Sequence, residues 1–424
     1  MDTKAYIVLA NGQVFEGKSF GATGCVTGEV VFTTSMTGYL ETLTDPSYHG
    51  QIVLQTFPLI GNYGVIPQDF ESCKLHPAGY IVREWCTKPS NFRCQGNINQ
   101  LLKEQGIIGI YDVDTRALTK IIRQQGTMNA RLITFCGDKE KDAQATEELA
   151  PVLYTLTKNP GFVAHAGKIR LIEELAAYKL DNPSLATSKS ADFVATSPLQ
   201  VFQEALSYKA VPVTSEGKLA TTFEQASWRG LGKKLVLWDF GSKANLWREL
   251  VKRGFEVETL SASSTCDEIV ASDPDGVVIS DGPGNPTENV AAIEEIRNLI
   301  ESGIPIFAVG LGHLLLALAA GAKTEKLLYG HRGSSQPVRE VATGKVYITS
   351  QNTGYTVVAD TLPEGAEPAF YNCHDNTCEG INYKDFPGIS VQFQPESAHA
   401  PLESRTIFDS FFDLIDAVKQ LQNA

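Results

Sequence analysis

Ile306-Phe-Ala-Val-Gly310-Leu-Gly-His313 reads as an apolar strand that turns sharply into a helix, and the fold is read outward from it. A turn of this kind is a nucleophile elbow when it displays a reactive side chain. Its flanking residues must be small, and the N-terminus of the following helix stabilises negative charge. The position that would carry the reactive group here is Gly310.

Upstream the same alternation repeats. An apolar run at 235–238 precedes a helical pattern at 245–253 closed by Gly254. A run at 257–260, a helix, a run at 276–279, a helix at 289–301 closed by Gly303, and a run at 304–309 follow. Apolar runs alternating with helices predict an α/β domain over 233–424, a doubly wound, mostly parallel sheet covered on both faces, with the site loops at the strand C-termini. The first 135 residues read differently. Short β-branched runs at 6–9, 14–15, 29–33 and 52–55 alternate with turn signals such as Asn11-Gly12 and Gly17. One helical pattern (Ala117, Leu118, Ile121, Ile122) follows Asp112-Val-Asp-Thr-Arg116, with Asp114 or Thr115 as cap and Gly126 as stop. A β-rich domain with helices is therefore expected over 1–165. Ser/Thr/Ala/Lys-rich stretches around helical patterns at 169–180 and 201–208 predict an extended connection over 166–232.

Composition excludes several classes. With 424 residues, 43% of them apolar, the chain has room for two or three domains of about 150 residues each. Forty-nine acidic against 36 basic residues give a net charge of −13, with no basic run to attract phosphate backbones or anionic lipid, so neither nucleic acid nor membrane is an expected partner. Eight scattered cysteines, Cys25, Cys136 and Cys266 among them, form no dense framework and read as reduced thiols. The apolar run before Asn11-Gly12 is too short for a signal sequence, and no apolar stretch is long enough to cross a bilayer. The expected compartment is the cytoplasm.

The elbow resembles that of triad-type (class I) glutamine amidotransferases, which read Gly-Ile-Cys-Leu-Gly-His-Gln, and Gln392-Phe-Gln-Pro-Glu396 resembles their Gln-Phe-His-Pro-Glu box. The segment from Gly24 to Pro46, Gly61-Asn-Tyr-Gly64, Asp112-Val-Asp-Thr-Arg116, Asp239-Phe-Gly241, Ser280-Asp-Gly-Pro-Gly284, Tyr329-Gly-His-Arg-Gly333 and Thr349-Ser-Gln-Asn352 are similar to the small subunit of carbamoyl-phosphate synthetase. The resemblance covers nearly the whole chain and is poorest in the connection. It implies a cysteine thiolate that attacks the glutamine amide, a histidine that moves protons, and a glutamate that orients the histidine. Carried over, the cysteine falls on Gly310, the histidine on Gln394 and the glutamate on Glu396. Only the orienting member remains. Glycine cannot attack, glutamine is no general base near neutral pH, and loss of the nucleophile alone in a triad enzyme costs on the order of 10⁶ in turnover.

Ser47, Gly282, Gly284, Leu311, Asn352, Gly354 and Tyr355 match family positions that line the glutamine pocket or point amides into it. Two others depart: the elbow's usual glutamine is Leu314, and the usual histidine of Asn-His-Gly-Tyr is Thr353. Losing a hydrogen-bonding partner for a buried polar ligand group costs about 1–3 kcal/mol, so glutamine binding is expected to be weak or absent. Glycine at 310 also predicts relief of the backbone strain of an elbow nucleophile.

Other features are read beside plainer alternatives. His313 is expected to be structural. His399 is a conceivable substitute base, though without a nucleophile it changes little. Cys373-His374-Asp375-Asn-Thr-Cys378 carries metal-ligand types but no second ligand pair, so no metal is expected. The loop at 280–286 is read as a former oxyanion donor through Gly284 rather than a phosphate nest. Gly61–Gly64 and Ser35–Gly38 are read as turns in a region that the family uses to contact its large subunit.

The resemblance thus implies a small chain that has lost glutamine hydrolysis and acts as structural or regulatory partner of a large subunit, in a heterodimer. The large subunit would make carbamoyl phosphate from ammonia and bicarbonate. It would carry the ATP and magnesium, with no cofactor in this chain; the product leads to pyrimidine or arginine, and the sequence does not choose. Two alternatives stand beside this reading: an active glutamine-dependent chain with rearranged groups, and a ligand-sensing module.

Overall fold

Seven strands of the N-terminal residues close on themselves because their apolar positions alternate and both ends of the ladder find partners. In chain order the strands are β1 (Lys4–Leu9), β2 (Val14–Gly21), β3 (Cys25–Thr33), β4 (Ile52–Gln55), β5 (Leu59–Ile60), β6 (Gly79–Ile81), β7 (Glu84–Trp85), β8 (Ile108–Tyr111) and β9 (Met128–Thr134). The barrel runs β1-β2-β8-β6-β4-β3-β9 and closes through antiparallel β1–β9 pairs such as Ile7↔Leu132, while β5 and β7 pair apart from it. Closure removes the sheet edges. The computed structural model describes residues 3–135, 142, 146–147, 149, 170–179, 229–230, 232–398 and 402–422, and divides into two units, Met1–Asp181 and Asn182–Ala424.

Helices α1 (Tyr39–Thr44), α2 (Ile98–Glu104), α3 (Thr115–Gln125) and α4 (Arg170–Ala177) belong to the first unit. The expected helix after Asp112 is α3. Its cap is Asp114, whose carboxylate accepts from the Ala117 amide at 2.9 Å, and Gly126 ends it at φ 91°. Residues 170–177, within the helical pattern read at 169–180, form α4. It buries Leu171, Ile172 and Leu175 with Tyr6, Val8 and Ile133 of the barrel. The helical pattern at 201–208, Cys136 and His399 lie outside the described residues.

The second unit is the α/β domain. Its strands are β10 (Lys234–Asp239), β11 (Glu256–Ser261), β12 (Gly276–Ile279), β13 (Ile306–Val309), β14 (Thr324–Glu340), β15 (Val346–Val357), β16 (Ala366–Asn372), β17 (Cys378–Tyr383) and β18 (Gly388–Val391). Its helices are α5 (Ala244–Val251), α6 (Cys266–Ala271), α7 (Val290–Glu301), α8 (Leu311–Ala319) and α9 (Thr406–Gln422). Strand order is β11-β10-β12-β13-β18-β17-β15-β14-β16, parallel from β11 through β18 and antiparallel beyond.

Period-two alternation builds the two faces. Val236, Trp238, Ile306 and Ala308 face one core with Ile269 of α6, Ile296 of α7 and Leu315 of α8. Leu235, Leu237, Phe307 and Val309 face the other with Leu250 of α5 and Phe408, Phe411 and Phe412 of α9. Helices thus cover both faces, which is why these strands read as unbroken apolar runs. In α8, Leu311, Leu314, Leu315 and Leu316 are all buried, so this helix is sunk in the core rather than amphipathic. Each leucine contributes about 1.5–3 kcal/mol by leaving water, which holds the elbow rigidly against the sheet.

Candidate active site

Strand order decides what meets at the elbow. β13 lies between β12 and β18, with Ile279↔Ala308 and Val309↔Val391 in register, and β10 lies beyond β12. The loops leaving β10, β12, β13 and β18 therefore emerge side by side at the C-terminal edge of the parallel strands, where open α/β sheets hold their sites.

The turn itself is intact. Gly310 has φ 56° and ψ −114°, and its amide donates to the Val391 carbonyl at 2.9 Å. The relief of strain expected from glycine thus comes without any flattening of the elbow, since glycine adopts this conformation readily and an L side chain does not. Gly312 is needed for a different reason: a Cβ there would overlap the Ile279 carbonyl oxygen and lie 2.8 Å from that of Ser280.

The space beside Gly310 belongs to Asp281. A Cβ built on residue 310 would overlap the Cγ and Oδ1 of Asp281, and would sit 2.7 Å from its Oδ2. This carboxylate is 4% exposed. Its Oδ1 accepts from the Gly282 and Leu311 amides, each at 2.8 Å, and its Oδ2 accepts from Gln394 Nε2 at 2.8 Å. Ser280 fixes the approach: its hydroxyl accepts from the Phe240 amide at 2.8 Å and donates to the Asp281 carbonyl at 2.7 Å. Three donors therefore converge on one buried carboxylate, the Gln394 side chain and two backbone amides, of which that of Leu311 is at the start of α8, where the helix dipole favours negative charge.

Glu396, 1% exposed, has a separate partner. Asp239 Oδ1 accepts from the Gly241 and Ser242 amides at 2.9 and 2.7 Å, and the loop thus fastened delivers Lys243, 4% exposed, to within 3.0 Å of Glu396 Oε1. Glu396 Oε2 has no hydrogen-bond partner among the described residues. Its pairing is with an ammonium, and the side chain two residues earlier in the chain, Gln394, turns to Asp281 instead.

Two comparisons of the whole chain bear on this arrangement. Residues 7–132 match the model of the carbamoyl-phosphate synthase small chain, CPSase domain, and residues 236–414 match that of glutamine amidotransferase class-I. Carbamoyl phosphate synthase small chains of Syntrophotalea carbinolica and Bacillus caldolyticus are each 40% identical to it, over 99% and 97% of this chain and 100% and 96% of their own lengths. That of Lactococcus lactis subsp. lactis is 37% identical over 99% of this chain and 100% of its own. The chain belongs to the carbamoyl phosphate synthase small chain family.

In this small chain the residues assigned to the glutamine pocket fall into four groups. Gly282 and Leu311 meet at the elbow, and Leu314 lies beneath it in the apolar core. Gly284 is exposed in the loop after β12, with φ 103°. Asn352, Gly354 and Tyr355 lie on β15. There Arg332 Nε donates to Asn352 Oδ1 at 3.1 Å, and the Thr353 hydroxyl donates to the Tyr355 carbonyl at 2.9 Å. Ser47 belongs to the N-terminal unit, in a 3-10 turn (Pro46–Tyr48) whose Asp45 carboxylate accepts from the Ser47 amide at 2.9 Å.

His313 is fully buried; its Nδ1 meets the Ser390 hydroxyl at 2.8 Å, and burial pushes its pKa down to about 3, which keeps it neutral. A neutral histidine held within the fold has a structural role. The Cys373–Cys378 segment divides: the Cys378 thiol, pushed up to about 11 by burial, donates to the Gly380 carbonyl, whereas Cys373 is exposed. Asp375 turns to His331, lying 2.7 Å from its Nε2, while Glu379, 1% exposed, lies 3.2 Å from its Nδ1. Burial alone would lower the His331 pKa, but hydrogen bonds to the two carboxylates outweigh it and raise the value to about 9.

Asp281 and Lys243 are the residues that the motif reading passes over. Asp281 lies inside a quoted motif and Lys243 two residues past another, but the contacts that matter span 30 and 153 positions of sequence, and no local pattern reports them.

Proposed function

We propose that this small chain no longer hydrolyses glutamine and serves as structural or regulatory partner of a large subunit that makes carbamoyl phosphate from free ammonia and bicarbonate. One observation carries the reading: at the position of the family's thiol there is no side chain, and the Asp281 carboxylate occupies the space a side chain would need. A thiolate route needs a nucleophile, a base and an oxyanion site. Gly310 supplies no nucleophile, Gln394 donates to Asp281 and takes no proton near neutral pH, and the Leu311 amide is already engaged. Glutamine binding would also have to displace a buried, hydrogen-bonded anion, which makes it weak. ATP and magnesium belong on the large subunit in this reading, the pair works as a heterodimer, and the compartment is the cytoplasm. No described helix is long and apolar enough to cross a membrane.

The test is to purify the chain with its large subunit and to compare glutamine and ammonium as nitrogen donors. Carbamoyl phosphate is expected from ammonium alone. Glutamate released from glutamine above background refutes the reading.

A further inference from the structure

We propose that Asp281 is a built-in ligand of the elbow: its carboxylate permanently takes the hydrogen-bond donors that a bound small carboxylate or amide would otherwise use. The inference rests on the reading of this site as a former glutaminase and adds what now fills it.

The first amides of a helix lack intrahelical acceptors, and in a dry environment they need one from elsewhere. α8 is buried along almost its whole length, and Leu311, at its first position, is 3% exposed. Its amide, the Gly282 amide and Gln394 Nε2 point at one spot, and Asp281 brings an anion there. The Lys243–Glu396 pair stands beside this set with its own charges matched.

Glycine at 310 is a condition of the arrangement. Alanine or serine would abolish the thiol equally well, yet any Cβ would overlap the carboxylate. Gly310 and Asp281 are therefore two halves of one device, the first making room and the second filling it. Shortening residue 281 should turn the elbow into a binding site for a small carboxylate, lined by the same three donors.

The experiment uses the full chain as wild type, Asp281→Ala and Asp281→Asn, with acetate as probe and chloride at matched ionic strength as control. Thermal melting of the Asp281→Ala chain is expected to rise saturably with acetate, by about 3–6 °C at ten times its dissociation constant. Wild type and Asp281→Asn, whose side chains still fill the spot, are expected not to respond. Wild type responding as strongly as Asp281→Ala, or Asp281→Ala not responding, overturns the proposal. Amide hydrogen exchange on the wild-type chain gives a readout independent of whether the alanine variant folds. Strong protection of Leu311 and Gly282 supports the contact, and exchange at the rate of exposed amides overturns it. Glutamate release by wild type, measured on the same samples, bears on the proposed function alone.

Discussion

A methyl group at position 310 tests the elbow most directly. Gly310→Ala imposes two separate costs. Holding an L residue at φ 56° and ψ −114° costs about 1–3 kcal/mol in backbone strain. The new Cβ also overlaps Asp281, which must give up its bonds from Leu311, Gly282 and Gln394 or move against them. Hydrogen bonds to a charged group contribute about 1.5–3 kcal/mol each, so even partial loss adds about 2 kcal/mol, and the single variant should lose about 3–5 kcal/mol. In an Asp281→Ala background the overlapping atoms are gone and only the strain remains. The two substitutions should therefore be non-additive by about 2 kcal/mol in a double-mutant cycle. Chemical unfolding followed through Trp238 and Trp247 of the α/β unit is a suitable assay, because a two-unit chain need not unfold in one step. Equal destabilisation by Gly310→Ala in both backgrounds, within about 0.5 kcal/mol, would show that Asp281 does not occupy this space.

Three further outcomes follow from the same contacts. Reinstating the triad by Gly310→Cys with Gln394→His should release no glutamate while Asp281 remains, and adding Asp281→Ala should be required before any turnover appears; a glutaminase assay on the three chains decides it. Lys243→Met removes the ammonium paired with buried Glu396 and should cost about 3–5 kcal/mol, most of it recovered in Lys243→Met with Glu396→Leu; unfolding midpoints compare them. His331 has a folded pKa near 9 against 6.5 unfolded, so its contribution is complete below pH 6.5 and is lost as pH rises to 9. That loss is about 3 kcal/mol at most, and it should be missing from the pH–stability profile of His331→Gln.

The parallel half of the sheet and the elbow were legible because they depend on local pattern. Unbroken apolar runs such as Val277–Ile279 can be buried on both faces only between helix layers, and Gly254 and Gly303, both at positive φ, end helices in the expected way. The helix after Asp112 was legible to within one residue of its cap, which is Asp114 of the two candidates. The antiparallel extension through β14 to β17 was not, because residues such as Thr349, Gln351 and Asn372 are polar yet buried, with Gln351 donating to Thr349 and both Gln351 and Asn372 donating to Glu379, which mimics a surface in the sequence. Barrel closure was invisible for another reason: β1 and β9 are separated by more than a hundred residues, and alternation does not name a partner. The sequence marked Gly310 and Gln394 as departures from the motifs the chain resembles, while the contacts of Asp281 with both depended on tertiary approach.

The overlap between a Cβ at 310 and the carboxylate of Asp281 also bears on how such a chain changes with time. A cysteine restored by one substitution meets an occupied space and a strained backbone, so that step lowers stability before it can return any activity. An aspartate removed first leaves buried amides unanswered and restores nothing. Neither order passes through an intermediate better than its starting point, so on the proposed reading the elbow works as a ratchet: with Asp281 in the space that a side chain at 310 would need, a return to thiol chemistry has no favourable single step.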